Sequence, residues 1–227
     1  MNFTNYFWEP IKIEQPNVWF WSDLHIGHKC EHWEIPLWKN RGFDSVQEHD
    51  ANLISRWNSN IKSTSTVFHL GDIMFGPNGA ERLHSLLCQL NFDTLYLLGG
   101  NHHAGFKQLL YNSYSKSGVR TVEIENKTIY VCPNYIEAVV CGQPIVVSHY
   151  PLASWNGQAK GSWMIHGHCH GNLYKSELGK ILYSCKITDV GVELCPKPKS
   201  FEELRKQFAE KQSKTFDHHT QQTLNPF

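Results

Sequence analysis

Five short apolar runs in this chain each end on side chains that bind metals or move protons. That pattern limits the fold more than any other feature. "NVWFWS" (17–22) runs into Asp23 and His25, "STVFHLGD" (65–72) ends on Asp72, and "FDTLYLLGGNHH" (92–103) closes on Asn101 and His102. "PIVVSH" (144–149) delivers His149, and "SWMIHGHCHG" (162–171) delivers His168 and His170. Runs this short, rich in β-branched and aromatic residues and bounded by Gly, Asp or Ser, read as buried strands. In open α/β sheets, ligands bind outside the carboxyl ends of the strands. The five runs therefore bring oxygen and imidazole donors to one rim.

Helical patterns separate the early strands. Ser45-x-x-Glu48 has the form of a capping box, and Val46, Leu53, Ile54, Trp57 and Ile61 follow at helical spacing, predicting a helix over about 46–59. "AERLHSLLCQL" (80–90) places Leu83, Leu86, Leu87 and Leu90 on one face, and a further helix is expected at about 104–116. From 119 to 148 the pattern turns to four β segments divided by Gly, Pro and Asn, and "KILYSCKI" (180–187) reads as one more strand. A Ser200-x-x-Glu203 box opens a last helix over about 200–212, with Phe201, Leu204 and Phe208 on one face. The start of the chain is polar and punctuated by proline. No repeat or linker divides the chain, so one domain over 1–213 is expected, with its core at 17–195 and a polar, fraying stretch at 214–227. Alternating strands and helices, followed by a mostly β second half, make this an α/β layered sandwich.

Charge narrows the partners. Lys plus Arg number 21 and Asp plus Glu number 21, so no global basic field draws in long duplex nucleic acid or an anionic membrane. No apolar run is long enough to span a bilayer, and the N-terminus lacks the pattern of a signal peptide. Seven cysteines, an odd number without a C-x-x-C pair, argue against a disulfide framework and a zinc ribbon. All seven read as small buried residues in a reducing cytoplasm.

The strand-end donors mix carboxylate, amide oxygen and imidazole, a set that suits divalent Mn, Fe, Zn, Co or Ni and suits Mg or Ca poorly. Residues separated by one position on extended chain point the same way, so Asp23 with His25, and His168 with His170, can each serve one site. Glycines at 27, 71, 99, 100, 167 and 171 permit tight turns and close backbone approach. Asp23, His25, Asp72, Asn101, His149, His168 and His170 are too many donors for one ion and about right for two, with Asp72 as a bridge.

The ordered series D-x-H, G-D, G-N-H, a lone His after an apolar strand, and G-H-x-H resembles the calcineurin-like metallophosphoesterases. The resemblance runs from Asp23 to His170 and is nearest to the small single-domain phosphoesterases of bacteria and phages, which share "SDLHxGH" and a Trp-Asn helix like Trp57-Asn58. It implies a four-layer αββα sandwich of two mixed β-sheets flanked by helices. It also implies a dinuclear centre, with Mn favoured for activity. Asp23, His25 and His170 would bind one metal, Asn101, His149 and His168 the other, and Asp72 would bridge them. In such enzymes a hydroxide bridging the metals attacks phosphorus, and His102 takes the place of the histidine that protonates the leaving oxygen.

The protein-phosphatase branch adds an Arg shortly after Gly-Asp and an acidic residue after Asn-His. Here the chain reads "GDIMFGPNG" and "GNHH", with His103 at the second place. A phosphomonoester dianion calls for extra positive charge that a diester does not need. The expected substrate is therefore a phosphodiester, from a nucleotide or short nucleic acid. A broad phosphomonoesterase, a metal-dependent nuclease and a non-catalytic binding module remain alternatives. His28, Arg41 and His103 are the candidate substrate contacts. His28 stands open between phosphate contact, support of a ligand and a solvated loop position. Trp33, Trp38, Lys39 and Arg41 in "EHWEIPLWKNRGF" (31–43) either stack and hold a substrate or anchor a loop. His69 and His166 read as core or ligand-supporting histidines, and His32, His49, His84, His218 and His219 as surface ones. No protein partner is evident, and the oligomeric state is open.

Overall fold

Two mixed β-sheets organise the chain. The computed structural model describes residues 9–29, 35–76, 79–102 and 120–213. The helix expected at 104–116, His103, Cys30, residues 31–34 with His32 and Trp33, and the stretch from 214 onward lie outside the described residues.

The larger sheet has six strands in the order β11-β2-β3-β4-β6-β5. Its centre is parallel: β2 (Val18–Trp21), β3 (Thr66–His69), β4 (Thr94–Leu98) and β6 (Lys127–Cys132) run side by side. Both edges are antiparallel. One is β5 (Arg120–Ile124), joined to β6 by a two-residue hairpin, and the other is the two-residue β11 (Lys199–Ser200) against β2. Register puts Phe20, Phe68, Tyr96 and Tyr130 opposite one another. Their rings stack in sequence at centroid spacings of 5.2, 4.8 and 4.9 Å, so an aromatic ladder fixes the strand pairing on that face. The other face of β2 carries Trp21, which packs against Trp57 of α2 (Val46–Asn60) with ring centroids 6.2 Å apart.

The second sheet has the order β1-β7-β8-β9-β10. The central strands are β7 (Tyr135–Val140), β8 (Gln143–Ser148) and β9 (Trp163–His166), flanked by β1 (Ile11–Ile13) and β10 (Ile187–Asp189). One continuous hydrophobic cluster joins Phe20, Val67 and Leu95 of the first sheet to Ala138, Val147 and Ile165 of the second. The protein is thus a mixed α/β fold with two sheets around a shared core. The remaining described helices are α1 (Leu37–Asn40), α3 (Gly79–Gln89), α4 (Glu177–Leu182) and α5 (Phe201–Ala209). Among the described residues no helix is long and apolar enough to cross a membrane.

Helix α5 starts at the expected box: Ser200 Oγ accepts from the Glu203 amide, and the Glu203 carboxylate accepts from the Ser200 amide. At α2 the box is half formed. Ser45 Oγ accepts from Glu48 N at 3.1 Å, but Glu48 reaches one residue further back, to Asp44 N at 2.8 Å.

Four expectations need correction. Residues 180–187 are not one strand: Ser176 caps α4 through the Gly179 amide, and β10 begins only at Ile187. The alternation of Ile181, Tyr183, Cys185 and Ile187 imitates a strand, yet Ile181 is 53% exposed. Ile11–Ile13, taken for polar lead-in, pairs in parallel with Ala138–Val140. His49 is wholly buried rather than on the surface, and among the described cysteines Cys141 is exposed in the β7–β8 turn while Cys88 and Cys169 are only partly buried.

Candidate metal centre

The loops leaving β2 and β3 run together and are tied through their backbones. Asp23 N donates to Gly71 O (3.1 Å), His25 N to Asp72 O (2.9 Å) and Ile26 N to Ile73 O (3.1 Å). The second sheet joins at the same end, where Ser22 N donates to Val190 O and Gly167 N to His149 O. The carboxyl ends of five strands from two sheets are thereby brought to one place, and all seven expected donors gather there.

Asp72, Asp23, His25 and His149 are buried, whereas His168 and His170 are partly open and Asn101 is exposed. Ligating atoms of Asp23, His25 and His170 lie within 4.8 Å of one another, as do those of Asp23, Asp72 and His149. Asp72 Oδ2 stands 3.7 Å from His25 Nε2 and 3.5 Å from His149 Nε2, between the two halves of the set. Its other oxygen, Oδ1, accepts the backbone amides of Asn101 (2.9 Å) and His102 (2.8 Å). Asn101 Oδ1 lies 2.8 Å from His149 Nε2 and 2.9 Å from His168 Nδ1.

Second contacts choose which imidazole nitrogen faces inward. His149 donates Nδ1–H to Leu70 O at 2.8 Å, and His170 donates Nδ1–H to Glu193 Oε1 at 2.7 Å, so Nε2 of each is left to ligate. Asp23 Oδ2 accepts the His168 amide, while Asp23 Oδ1 and both nitrogens of His25 are buried without a hydrogen-bond partner. Buried polar atoms left in this way cost stability unless something else binds them, and a divalent cation coordinated by them fits that requirement. The backbone agrees. Seven described non-glycine residues have positive φ, and five of them are Asp23, His25, Asp72, His168 and His170. The other two, Glu125 and Cys141, sit in two-residue hairpin turns, which need that conformation.

The charges are tuned by burial. Asp23 is pushed up to about 8 by burial first, with Asp189, Asp72 and Glu193 adding repulsion against the pull of His170. Burial holds His25 well below the ordinary histidine value, and lowers His149 and His168. Burial also depresses His170, but the hydrogen bond and charge of Glu193 outweigh it and the net shift is upward. Glu193 falls to about 2: burial alone would raise it, and His170 with Arg41 override that. The lowered His25, His149 and His168 are neutral imidazoles, as a metal needs, whereas Asp23 and His170 hold their protons more tightly and would have to release them to a bound cation.

His102 is half-buried at the edge of the cluster, its ring 5.2 Å from that of His25 and 5.0 Å from that of Phe75. A ligating atom of His102 also falls within 4.8 Å of those of His25 and Asp72. His28 is buried, its ring edge-on to His25 at 5.7 Å and against Phe75 at 4.4 Å, behind the ligands. Arg41 is placed behind them too. Its guanidinium donates to Asp23 O (2.7 Å), Leu24 O (2.9 Å) and Glu193 Oε1, and meets His49 Nε2 at 2.9 Å. His166 Nε2 meets the Tyr183 hydroxyl at 2.9 Å, and His69 is fully buried under the site.

Sequence reasoning missed Glu193, Asn134 and Tyr150. Glu193 carried a faint signal, as an acid just past "ITDVGV" (187–192) at the same sheet end. Asn134 sits in an ordinary turn, where its side chain bonds Gly100 N and Gly100 O. The Tyr150 ring packs edge-on against His149 and His168 at 4.9 and 4.5 Å.

No protein-family profile matches the chain. It is 29% identical over 176 residues to the Gene 66 protein of Mycobacterium phage L5, covering 70% of this chain and 80% of that protein. It is 27% identical over 157 residues to the uncharacterized protein MJ1445 of Methanocaldococcus jannaschii, covering 68% and 70% respectively. Among solved structures, the protein of unknown function AQ665 from Aquifex aeolicus superposes with a TM-score of 0.59, covering 84% of this chain and 98% of that one. At 20% identity, that likeness concerns the fold.

Proposed function

We propose that the protein is a dinuclear metal-dependent phosphoesterase of the calcineurin-like type, with its two sheets as the inner layers of an αββα sandwich and phosphodiesters as substrates. The observation that carries this reading is that Asp72 Oδ2 lies 3.7 Å from His25 Nε2 and 3.5 Å from His149 Nε2, with Asp23 and His170 gathered about His25 and with Asn101 Oδ1 against His149 and His168. Asp23, His25 and His170 would hold one divalent ion, Asn101, His149 and His168 the second, and Asp72 both. Such a pair supplies a water acidic enough to act as nucleophile near neutral pH and positive charge beside the phosphoryl oxygens.

The chain's own residues do the rest. Glu193 and the Leu70 carbonyl fix the tautomers of His170 and His149, so that neutral nitrogens face inward. Asp72 Oδ1 grips the backbone amide of His102 and so sets where that ring stands. His102, at the edge of the cluster, would give a proton to the departing oxygen of the ester. The diester preference rests on the sequence around Asp72 and His102. No Arg follows Gly71-Asp72 closely, so the extra positive charge that suits a phosphomonoester dianion is missing there, and no acid follows Asn101-His102 to orient the imidazole.

The test is hydrolysis of bis-p-nitrophenyl phosphate and p-nitrophenyl phosphate by metal-stripped protein reloaded with Mn²⁺, beside Asp72→Asn and His102→Ala. Diester cleavage that chelator abolishes and both variants lose is the expected result. Metal binding without turnover of either ester would instead favour a binding module on the same fold.

A further inference from the structure

Two sets of contacts outside the donor set divide it in the same way that the metals would. The first is the Arg41–Glu193 pair. Arg41, with its side chain only 5% exposed, donates Nη2 to Asp23 O (2.7 Å) and Nη1 to Leu24 O (2.9 Å), gripping the turn that carries Asp23 and His25. Its Nε and Nη2 both donate to Glu193 Oε1, at 3.0 and 2.8 Å. That same oxygen accepts Nδ1–H of His170 at 2.7 Å. One ion pair therefore connects all three donors of one half-site. Among the described residues, none of these hydrogen bonds goes to Asn101, His149 or His168.

The second is Asn134. Its Oδ1 accepts Gly100 N (2.9 Å) and its Nδ2 donates to Gly100 O (3.1 Å), a closed pair of bonds on the residue before Asn101. Its backbone carbonyl accepts His149 N at 3.1 Å. Asn101 Oδ1 then lies within 2.9 Å of a ring nitrogen of His168, which completes the other half-site. Asp72 is shared by both halves, and the His168 amide, which donates to Asp23 Oδ2 at 2.9 Å, is a backbone link that also crosses between them.

We propose that the two half-sites are held by separate clamps, Arg41–Glu193 for one and Asn134 for the other, so that either can be emptied while the other still binds. This rests on the dinuclear reading above. Glu193 and Asn134 are positioning residues: they touch no substrate, and their side chains act through His170 and, by way of Gly100, through Asn101. Loss of such a support typically weakens metal affinity by about 10–100-fold. Glu193→Ala frees the His170 ring to turn and to change tautomer. Glu193→Gln keeps an acceptor oxygen for both the Nδ1–H and the guanidinium, and Arg41→Lys keeps a charge but loses the fork.

The experiment is calorimetric titration of chelator-stripped protein with Mn²⁺, with the absorption spectrum of the Co²⁺-loaded protein as a second readout. Wild type should show two binding steps. Glu193→Ala and Arg41→Lys should weaken one step by about 10–100-fold and leave the other in place, with a residual Co²⁺ spectrum like that of His170→Ala. Asn134→Ala should weaken the other step, with a residual spectrum like that of His149→Ala, and Glu193→Gln should keep both steps. Weakening of both steps together by Glu193→Ala, Arg41→Lys or Asn134→Ala, or of neither, overturns the two-clamp proposal while leaving the dinuclear centre intact. If an alanine variant does not fold, Arg41→Lys and Glu193→Gln carry the comparison for the first clamp, and Asn134→Asp, which keeps an acceptor for Gly100 N but loses the donor to Gly100 O, carries it for the second. A stoichiometry below two Mn²⁺ per chain in wild type would refute the dinuclear reading, and this proposal with it.

Discussion

Asp23 makes the metal-free protein less stable as pH rises, and the effect is large enough to measure. Its carboxyl is fully buried with Oδ1 unpartnered, and its value moves from the ordinary 3.8 up to about 8. A group whose folded value is raised contributes stability that is complete below its unfolded value and is lost as pH climbs toward the folded one. Between pH 6.5 and 8 this residue alone should remove about 2 kcal/mol, since each unit is worth about 1.4 kcal/mol. That window matters because His25, His69, His149 and His168 have lowered values. They bind fewer protons folded than unfolded, so they cost stability only below about 6.5. His170, with a raised value, acts in the same direction as Asp23, and since Asp23 is one cause of that rise, the variant reports the two together.

The perturbation is Asp23→Asn, which nearly conserves volume and cannot ionise. Urea unfolding in chelator, at the two ends of the window, gives the pH dependence of each protein. Wild type should lose about 2 kcal/mol more than the variant on going to the alkaline end. Added Mn²⁺ should reverse the order, because a metal binds the ionised carboxylate and stabilises only a state that can hold it. A wild-type-minus-variant difference that does not change with pH would refute the account of Asp23 as a buried, uncompensated acid.

Three further perturbations separate support of the site from support of the fold. At Gly100, with φ +75°, a Cβ would press on Asp72 Oδ1 and lie 2.6 Å from Asp72 N, so Gly100→Ala should cost about 1–3 kcal/mol in urea melts and weaken Mn²⁺ binding in calorimetry. Ser200→Ala removes the cap of α5 and should cost about 1 kcal/mol in the same melts while leaving metal titrations unchanged. His69 is fully buried, has two unpartnered nitrogens and is lowered to about 3 by burial and by His149. Its folded value lies below its unfolded one, so stability falls as pH drops below 6.5; His69→Leu should recover about 2 kcal/mol near pH 5, and equal acid sensitivity of the two proteins would count against it.

The strands and their polar ends were legible because both signals are local. An apolar run such as Thr66–His69 declares burial by composition, and the donor that ends it lies within three residues, at Asp72. The supports were not legible because their contacts are long-range. Arg41 meets Glu193 across 152 positions and Asn134 meets Gly100 across 34, and no periodicity records such a pairing. Arg41 looked like a substrate contact because a basic residue beside aromatics has that composition wherever its guanidinium points. His49 looked exposed because it is polar on an amphipathic helix, yet the buried guanidinium gives its ring a partner there. In α4 the alternation of apolar residues favoured a strand, and the Ser176 cap overrode it.

The ligand backbones show why a fold-only reading of the same motifs is insufficient. Glycine would adopt the left-handed conformation at Asp23, His25, Asp72, His168 and His170 with less strain, and the chain does use glycine with positive φ nearby, at Gly71, Gly100 and Gly171. A non-glycine residue held there costs on the order of 1–3 kcal/mol. At Glu125 and Cys141 a tight hairpin accounts for the cost. At the five strand-end positions no hairpin does, and what those residues have over glycine is a donor atom. The same five side chains include the raised Asp23 carboxyl and the unpartnered His25 ring, so strain and desolvation coincide on one set. Stability is given up at the positions where coordination by a divalent cation would return it, and this physical asymmetry supports the proposed metal centre over a coincidental gathering of polar strand ends.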